Sequence, residues 1–380
     1  MSGNKKTVVV VGGGYGGITI CKQLDQKFNV ILIERKKAFF HNIGAPRLLI
    51  EPEFHKKLYL PYDNLMKNGR VIYQTATEIS PQKVVLDNGE EVAFDYLVIA
   101  TGSNNPAPFK SGLSLSEAPT YINSLSEQVA QAKKILIVGG GAVGVEVAGE
   151  IVYKYTDKEV TIVNPTDKLV ANVFVDKFYQ NLSKKLKSNN IEVVVDKITF
   201  PEELKENLRV QSNIPYHAER KTYTTESGRQ IEADLVFWTV GNKLNNESLQ
   251  THFAGVLNDQ GRIKVNNSLQ VEGHQNIFAI GDINSIPELK TSYHAGAHGG
   301  VAASNIIAIE SAKDKSNIKL KEHKSMKPTM LCSFGPKDGI GQLNGWVLGK
   351  TIGSLLKSKN LFADRFYKEM NKPKPLVFSA

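Results

Sequence analysis

The sequence contains one glycine-rich pattern twice, and this repetition limits the available folds more than any other feature. The pattern GxGxxG occurs at residues 12–17 and again at residues 139–144, each time directly after four apolar residues. A helical stretch and a second apolar strand follow both copies. This order of strand, glycine turn, helix and strand is typical of a dinucleotide-binding unit. We therefore predict an α/β chain with two Rossmann-like domains.

The first copy combines the parts that a bound pyrophosphate needs. Gly12 permits the tight turn, Gly14 lets the backbone approach the phosphates, and Gly17 lets helix and strand pack closely. The helix N-terminus adds aligned N–H donors. Glu34 stands 22 positions after Gly12, at the end of the next strand, where a carboxylate accepts hydrogen bonds from a ribose diol.

The second copy differs from the first where a ribose would lie. Gly139, Gly141 and Gly144 repeat the fingerprint, but the next strand ends at Asn164, with Lys168 close behind. Without a carboxylate a 2′-phosphate is not repelled, which favours NADPH; alternatively, the amide bonds either ribose equally well. We therefore expect NADH or NADPH as hydride donor. Two dinucleotide sites in one chain imply a bound flavin dinucleotide that receives this hydride.

Three further apolar strands are each followed by small residues or by an acid. In open α/β sheets, ligands bind at this edge, outside the carboxyl ends of the strands. These residues are Thr101 and Gly102, Gly241, and Asp282. A helix rich in Gly and Ala is predicted over residues 295–303. Its small side chains either let a flat ring approach the backbone or only permit tight helix–sheet packing.

The order of these motifs resembles the two-dinucleotide-binding flavoprotein superfamily of pyridine nucleotide-disulphide reductases. More narrowly, four segments are similar to the mitochondrion-associated type of apoptosis-inducing factor, which includes the ferroptosis suppressor protein. The segments are FFHNIGAPR, LQVEGHQNIFAIGD, DGIGQLNG and LLKSKNLF. The resemblance extends over essentially the whole chain.

The resemblance implies roles for residues of the first fingerprint and beyond it. It implies that Gly12, Gly13, Gly14, Tyr15 and Gly16 hold the FAD pyrophosphate. Glu34 would hold the adenosine ribose, and Asp282 the ribityl chain. Arg47 would contact the flavin cofactor, and Ala76 would meet the adenine through its backbone.

The resemblance also places three residues beside the reacting rings. Glu146 corresponds to the acid that meets the nicotinamide carboxamide, while Lys357 and Phe362 match positions close to the flavin and the acceptor opening. Two residues past Gly144, Glu146 is expected in the first helical turn. There, stabilisation of the helix dipole is an alternative role for its carboxylate.

The chain has two cysteines, Cys21 and Cys332, far apart in sequence. It therefore lacks the CxxxxC or CxxC pair through which disulphide reductases relay electrons, and we expect reduced flavin to pass electrons directly to an external acceptor. A quinone fits, as the resemblance also implies. Two alternatives remain open: a reductase of a small redox carrier protein, and a basic, DNA-associating effector like other apoptosis-inducing factors. The second ranks lower because no nucleic-acid motif with interleaved aromatic residues occurs.

We expect no metal site, although His294 and His298 are spaced i,i+4, because no carboxylate or cysteine joins them in the sequence pattern. The cofactors would carry the difficult chemistry, and the protein would supply alignment and water exclusion. No catalytic triad is therefore expected.

The C-terminal part has a character of its own. Residues 313–321 have the composition of a linker, and residues 328–349 predict an antiparallel meander. Helical spacing then relates two apolar runs, Leu348, Ile352, Leu355 and Leu356, and after them Phe362, Phe366 and Met370. This stretch is either a basic amphipathic lid that lies against anionic lipid or a helix packed on the body with solvated lysines.

The net charge of +9 comes entirely from this C-terminal part. Residues 313–380 carry 14 Lys and Arg against 5 Asp and Glu, while the preceding 312 residues are balanced at 33 of each. If the protein has an anionic partner, its contact surface is expected in this segment.

We predict an FAD-binding domain from residues 1–110 and 246–312, an NAD(P)H-binding domain at 111–245, and the basic C-terminal α+β segment at 313–380. No apolar run reaches the roughly 18 residues of a membrane-spanning helix. The N-terminus resembles neither a signal peptide nor a presequence, and Ser2 stands where myristoylation requires Gly. We expect a cytoplasmic protein, with peripheral membrane contact as an open alternative.

Overall fold

The computed structural model describes residues 5–105, 108–110, 114–199, 201–202, 216, 218–240, 243–314 and 317–373. Two parallel sheets form the body of these residues, and smaller antiparallel sheets surround them. The α/β class predicted from the sequence is confirmed. Among the described helices, none combines the length and the apolar character needed to cross a membrane.

The first parallel sheet has five strands. Four come from the first 99 residues, and the fifth, Ile277–Ala279, comes from a later part of the chain. Alternate residues of its central strand point into different cores: Val8 and Val10 enter one apolar cluster, and Val9 and Val11 enter another. A strand buried on both faces explains the unbroken run of valines. In spatial order the strands are Ile277–Ala279, Tyr96–Ile99, Thr7–Val11, Asn29–Ile33 and Arg70–Ile72.

Two helices lie against each other on this sheet. The first fingerprint helix, Tyr15–Leu24, packs against the long helix Ser292–Ser311. A Cβ on Gly299 would stand 2.7 Å from the carbonyl oxygen of Gly16. The small residues of the long helix therefore serve close helix–helix packing at this point.

The second parallel sheet has four strands and lies between the two sequence portions of the first. The helices of this part are Ala118–Gln131, Ala142–Lys154 and Asp176–Ser188. The helix Ala142–Lys154, named here the second fingerprint helix, begins directly after the second glycine turn. In spatial order the strands are Ile191–Val195, Glu159–Asn164, Lys134–Val138 and Leu235–Trp238.

Small antiparallel sheets and short 3₁₀ turns complete the body. The strands Ser103–Asn104 and Lys243–Leu244 pair where the chain leaves the first sheet and returns to it. The other pairings are Ala38–Phe40 with Tyr59–Pro61, Lys221–Thr224 with Gln230–Ala233, and Ala76–Ile79 with Lys83–Leu86 and Glu91–Ala93. The 3₁₀ turns are Asn42–Leu49, Pro52–Lys57, Tyr62–Asn64, Glu247–Leu249, Ala254–Val256 and Gly281–Ile283.

The C-terminal part confirms the predicted meander. Its antiparallel strands are Met330–Ser333, Gly339–Leu343 and Trp346–Leu348. A short helix, Lys350–Gly353, continues into the π-helical turn Ser354–Ser358, and the helix Ala363–Glu369 follows.

The last helix does not present its apolar side chains to solvent. Phe366 and Met370 are buried in the core that also holds Val8 and Val10, whereas Arg365 and Lys368 are exposed. The lid interpretation is therefore wrong for Phe366 and Met370, because the first sheet's own core already covers their apolar surface. The alternative of a helix packed on the body is confirmed for Ala363–Glu369, whereas Ile352, Leu355 and Leu356, which belong to the same predicted stretch, are exposed.

Candidate functional site

The two glycine turns have nearly the same backbone geometry. Gly12 and Gly139 have φ angles of +106° and +108°, a region that L-residues with side chains rarely occupy. A Cβ on Gly17 would lie 2.0 Å from the carbonyl oxygen of Gly12, and a Cβ on Gly144 equally close to that of Gly139. Both turns therefore require glycine for their own folding, before any ligand is considered.

Glu34 and Asn164 hold equivalent positions at the ends of the two second strands. The Glu34 carboxylate accepts the Gly13 N–H at 2.6 Å, and the Asn164 Oδ1 accepts the Gly140 N–H at 2.9 Å. Glu34 also accepts the Lys36 N–H at 2.9 Å. The two fingerprints thus differ by a charge at one equivalent place, as the sequence indicated.

A cavity of about 810 Å³ lies at the C-terminal edge of the first sheet. A Cβ on Gly14 would meet no protein atom within 4 Å, so the turn leaves room for a ligand at this point. The Thr101 Oγ1 is buried and has no hydrogen-bond partner among the described residues. Predicted residues that line the cavity are Gly12, Gly14, Tyr15, Gly16, Glu34, Ala76, Thr101, Gly102 and Asp282. These residues fit a dinucleotide.

Asp282 is one of the charged residues that line this cavity. Its carboxylate accepts the Ser103 hydroxyl at 2.6 Å and the Lys110 ammonium at 2.9 Å. Burial opposes the charged form, but Lys110 and Ser103 outweigh burial and hold the pKa of Asp282 below its usual value. The carboxylate is therefore ionised and fixed in direction at neutral pH.

A second cavity of about 1010 Å³ adjoins the first. Ala142, Val143 and Glu146 of the second fingerprint helix form one side, while Lys357 and Phe362 come from the C-terminal part. Residues common to both cavities are Tyr15, Asn42, Lys110, Asp282 and Ala295. A group bound along the first cavity would thus have one end at the second.

Glu146 and Lys357, which lie 211 positions apart, form a buried ion pair with 2.5 Å between Oε1 and Nζ. The backbone N–H of Ser333 donates to the same carboxylate oxygen at 2.8 Å, and Lys357 also donates to the Leu331 carbonyl oxygen. The expected place of Glu146 in the first turn is wrong: the helix begins at Ala142, and its first turn has no acidic residue. Its carboxylate serves the cavity, not the helix end.

Arg47 lies apart from both cavities. Its guanidinium donates to the Glu150 carboxylate at 2.6 and 3.0 Å and to the Ser358 carbonyl oxygen, and Arg47 is not among the residues that line either cavity. Burial raises the pKa of Glu150, and Arg47 acts against this rise. In the described structure Arg47 joins the body, the second fingerprint helix and the C-terminal part.

Glu150 and Ser333 are the residues that sequence reasoning missed. Ser333 Oγ lies 3.2 Å from Glu146 and 3.4 Å from Glu150, so it connects the two buried ion pairs. The signal for Glu150 was present, because Glu146 and Glu150 are spaced i,i+4 and therefore lie on one helix face. Ser333 has no comparable sequence signal.

Phe362, which lines the second cavity, lies in a strained stretch of backbone. Leu361 and Phe362 have φ angles of +53° and +63°, a conformation that costs non-glycine residues about 1–3 kcal/mol each. His41 Nε2 contacts the Leu361 carbonyl oxygen at 2.7 Å, and the Lys357 carbonyl oxygen accepts the Leu361 N–H at 2.7 Å. These contacts hold the backbone that carries Phe362.

The remaining predicted residues divide into three groups. Gly13 and Gly17 do not line the first cavity; a Cβ on Gly13 would stand 2.6 Å from the hydroxyl oxygen of Tyr62. Gly141 precedes the second fingerprint helix, and a Cβ there would meet nothing within 4 Å. Gly241 lies outside the described residues.

Both cysteines are buried, free and absent from the lining of either cavity. Burial raises the pKa of the Cys21 thiol and raises that of Cys332 to about 12. Neither thiol is therefore ionised at neutral pH, which agrees with the expectation that electrons do not pass through a protein dithiol.

One expectation about the histidines is wrong. A carboxylate does accompany His298: Glu288 lies 2.8 Å from its Nε2, and His323 lies 3.0 Å from Glu288 on the other side. The sequence pattern missed this group because Glu288 and His323 come from loops on either side of the helix.

Two parallel sheets, each with a dinucleotide fingerprint, and two adjoining cavities define a two-dinucleotide flavoprotein. The chain belongs to the pyridine nucleotide-disulphide oxidoreductase family, whose model matches residues 6–299. It is therefore an FAD-dependent NAD(P)H oxidoreductase.

Individual proteins agree with this assignment. The chain is 49% identical to apoptosis-inducing factor homolog B of Dictyostelium discoideum, over 99% of this chain and 100% of that protein. It is 33% identical to ferroptosis suppressor protein 1 of Xenopus tropicalis, over 97% and 96%. The sulfide:quinone oxidoreductase of Aquifex aeolicus has the same fold, with a TM-score of 0.71 at 18% identity, covering 98% of this chain and 93% of that one.

Proposed function

We propose that the acceptor of this oxidoreductase is a quinone. The observation that carries the proposal is the second cavity, which adjoins the first and joins apolar wall residues such as Val143, Leu331 and Phe362 to one buried ion pair. A flat, largely apolar ring with a polar oxygen at its edge matches such a wall. The two thiols are buried and free, and neither lines this cavity, so they do not favour a route through a protein dithiol.

The proposal assigns each part of the chain to one ligand. Residues 1–110 and 246–312 would bind FAD in the first cavity, and residues 111–245 would bind NAD(P)H. Residues 313–380 would close the acceptor side. Support comes from the first sheet, whose strands lie within the two proposed FAD portions, and from Ala142 and Val143, which line the second cavity.

Bound FAD would supply hydride acceptance from NAD(P)H and two-electron delivery to the acceptor. We propose that Gly14 and the helix behind it bind the pyrophosphate, that Glu34 and Ala76 meet the adenosine part, and that Asp282 orients the ribityl chain. Thr101 and Gly102 would lie along the same ligand. Arg47 would act on the site through Glu150 and would not touch the flavin.

On the nicotinamide side, Gly139, Gly141 and Gly144 would form the phosphate turn, and Asn164 would meet the ribose. Glu146 would accept the carboxamide N–H, with Lys357 and Ser333 holding its carboxylate in place. Phe362 would exclude water from the acceptor opening.

The experiment is NAD(P)H oxidation by the purified flavoprotein with a panel of acceptors. We expect fast turnover with short-chain quinones and slow turnover with iron–sulfur carrier proteins, and a Phe362→Ala variant should raise the KM for quinone more than the KM for NAD(P)H. Faster turnover with a carrier protein than with any quinone would replace this proposal by the carrier-reductase alternative.

We further propose that the protein contacts an anionic membrane surface through its C-terminal part. Trp346 and Leu355 are each 79% exposed and lie in the segment that carries the entire net positive charge. Leu343, also exposed, lines the second cavity. A basic surface with apolar tips suits anionic lipid, and a cavity opening there would receive a lipophilic acceptor.

A further inference from the structure

Three side chains from separate segments meet in the interior behind the Asp282 turn. Glu288 follows the turn, His298 belongs to the long helix, and His323 belongs to the stretch before the C-terminal sheet. Glu288 Oε1 lies 2.8 Å from His298 Nε2, and Glu288 Oε2 lies 3.0 Å from His323 Nε2. The two Nε2 atoms are 3.3 Å apart. All three side chains are almost fully buried.

The tautomer of His298 follows from its other nitrogen. The backbone N–H of Gly281 donates to His298 Nδ1 at 3.1 Å, and the side-chain amide of Asn284 lies at the same distance. A backbone N–H can only donate, so Nδ1 must carry no proton. In the neutral ring the proton is then on Nε2, which donates it to Glu288.

This tautomer argues against a metal ion in the cluster. A carboxylate and two imidazoles are a common donor set for zinc, and the three ligand atoms lie within 4.8 Å of one another. A metal on His298 Nε2 would require the ring proton on Nδ1, where it would face the Gly281 N–H. The hydrogen bond to Gly281 therefore favours a proton on Nε2 over a metal.

The hydrogen bond to Gly281 connects the cluster to the first cavity. Gly281 has a φ of +75° and precedes Asp282, which lines the cavity. The Asn284 amide also donates to the Ala279 carbonyl oxygen, and Arg262 donates to the Asp282 carbonyl oxygen. His298 is thus one of the few side chains that hold the backbone from which the Asp282 carboxylate projects.

We propose that Glu288 and His298 are positioning residues for FAD: Glu288 fixes the His298 tautomer, and His298 Nδ1 holds the Gly281 N–H so that Asp282 meets the ribityl chain. This inference rests on the proposed place of the ribityl chain at Asp282. His323 adds a second donor to Glu288 and ties the stretch before the C-terminal sheet to the same turn.

The test compares two substitutions of His298, each of which keeps a polar group near only one of the two ring nitrogens. His298→Asn keeps an acceptor near the Nδ1 position, and His298→Gln keeps a donor near the Nε2 position. FAD dissociation on dilution is followed by the recovery of free flavin fluorescence. We expect His298→Gln to release FAD about tenfold faster than the wild type, as for one lost hydrogen bond to a buried group, and His298→Asn to stay near the wild-type rate.

Matched controls separate the possible failures. The same two substitutions at His252, whose exposed side chain contacts Glu78, should leave FAD release unchanged. Asp282→Ala should accelerate FAD release; if it does not, the proposed place of the ribityl chain is wrong. If Asp282→Ala accelerates release but the two His298 variants do not differ, the positioning role is wrong.

A direct reading of the ring nitrogens does not depend on how well a variant folds. In the wild-type flavoprotein, the ¹⁵N spectrum of His298 should show an unprotonated Nδ1 and a protonated Nε2. A protonated Nδ1, or stoichiometric zinc in the purified protein that is lost on His323→Ala, would overturn the assignment in favour of a metal site.

Discussion

Among single residues, Lys357 is a buried charge that affects both the stability and the proposed chemistry of the site. Its ammonium has Glu146 and the Leu331 carbonyl oxygen as partners, and the pair has almost no exposed surface. A buried ion pair adds little to stability by itself, but removing one partner leaves a charge without compensation. Stability and catalysis can therefore be separated at this pair.

Lys357→Met should lower the free energy of unfolding by about 3–5 kcal/mol, the usual cost of an uncompensated buried charge, and should slow flavin reduction by NAD(P)H. The double variant Glu146→Gln with Lys357→Met should regain most of the stability but not the reduction rate. Urea unfolding and stopped-flow absorbance at the flavin band measure the two quantities. Lys359→Met, at an exposed neighbouring lysine, is the control. Recovery of the rate together with the stability would show that the pair is only structural.

His41 gives a prediction for the dependence of stability on pH. Burial lowers its pKa from 6.5 to about 4, so the folded protein binds a proton less readily than the unfolded chain. This difference in pKa adds roughly 3 kcal/mol to the free energy of unfolding above pH 6.5. The added stability is lost as the pH falls from 6.5 through about 4.

The free energy of unfolding of the wild type should therefore decrease more steeply between pH 6.5 and 4 than that of His41→Gln. Glutamine keeps a donor for the Leu361 carbonyl oxygen but has no proton to gain. Equal slopes for the two proteins would contradict a neutral, buried His41.

Among the elements, the two glycine turns are alike in backbone, but only the first lines one of the two cavities, whereas the second is followed by Ala142 and Val143, which line the second cavity. Gly14 lines the first cavity, and Gly141 stands at the corresponding place before the second fingerprint helix. Neither would bring a Cβ within 4 Å of a protein atom, whereas Gly17 and Gly144 would. Alanine at the first two positions should therefore disturb ligands, and alanine at the other two should disturb folding.

Gly14→Ala should yield folded protein with reduced FAD content, because the new methyl group enters the space proposed for the pyrophosphate. Gly141→Ala should keep its FAD and raise the KM for NAD(P)H roughly tenfold, as for a phosphate contact worth about 1.4 kcal/mol. The flavin absorbance per protein and the steady-state KM distinguish the two variants. If Gly141→Ala lost FAD and Gly14→Ala only raised the KM for NAD(P)H, the first sheet would bind NAD(P)H and the second would bind FAD, contrary to the proposal.

Asn164→Asp tests the strand end of the second sheet. The carboxylate would still accept the Gly140 N–H, as Glu34 accepts that of Gly13, and would repel a 2′-phosphate. We expect the ratio of kcat/KM for NADH to that for NADPH to rise roughly tenfold or more, because like charges in contact cost several kcal/mol. An unchanged ratio would mean that Asn164 does not meet the ribose.

The molecule as a whole has a neutral body and a basic C-terminal part, and this division carries the membrane proposal. Residues 313–380 have a net charge of +9, and residues 1–312 have none. The burial of Phe366 and Met370 excludes them from an apolar contact with lipid, whereas Leu355 of the same predicted stretch is exposed and Trp346 lies exposed in the preceding meander.

The protein should sediment with vesicles of phosphatidylcholine and phosphatidylserine, and not with phosphatidylcholine alone, and added salt should weaken the binding. The double variant Trp346→Ser with Leu355→Ser should bind less, because two exposed apolar side chains are lost. Val195→Ser removes an exposed apolar residue from the second sheet and should bind as the wild type does. Equal binding by all three proteins would contradict the proposed surface.

Several features of the fold and the site could be predicted without coordinates. The glycine turns, the acid at the end of the second strand and the meander depend on residues that are close in sequence, where a few consecutive side chains limit the backbone. The position of Glu146 in its helix was wrong by one turn, since the boundary depends on where the chain leaves the glycine turn.

The local pattern of this chain determined its strands, its glycine turns and the presence of a charge at one strand end, Glu34, and its absence at the other, Asn164. Tertiary structure alone decided which buried groups meet: Lys357 with Glu146, Arg47 with Glu150, and Glu288 with two histidines. A turn is encoded by neighbours in sequence, but a buried charge must find its partner wherever packing brings one close. For that reason the fingerprints were visible in the sequence, and these contacts between buried groups far apart in sequence were not.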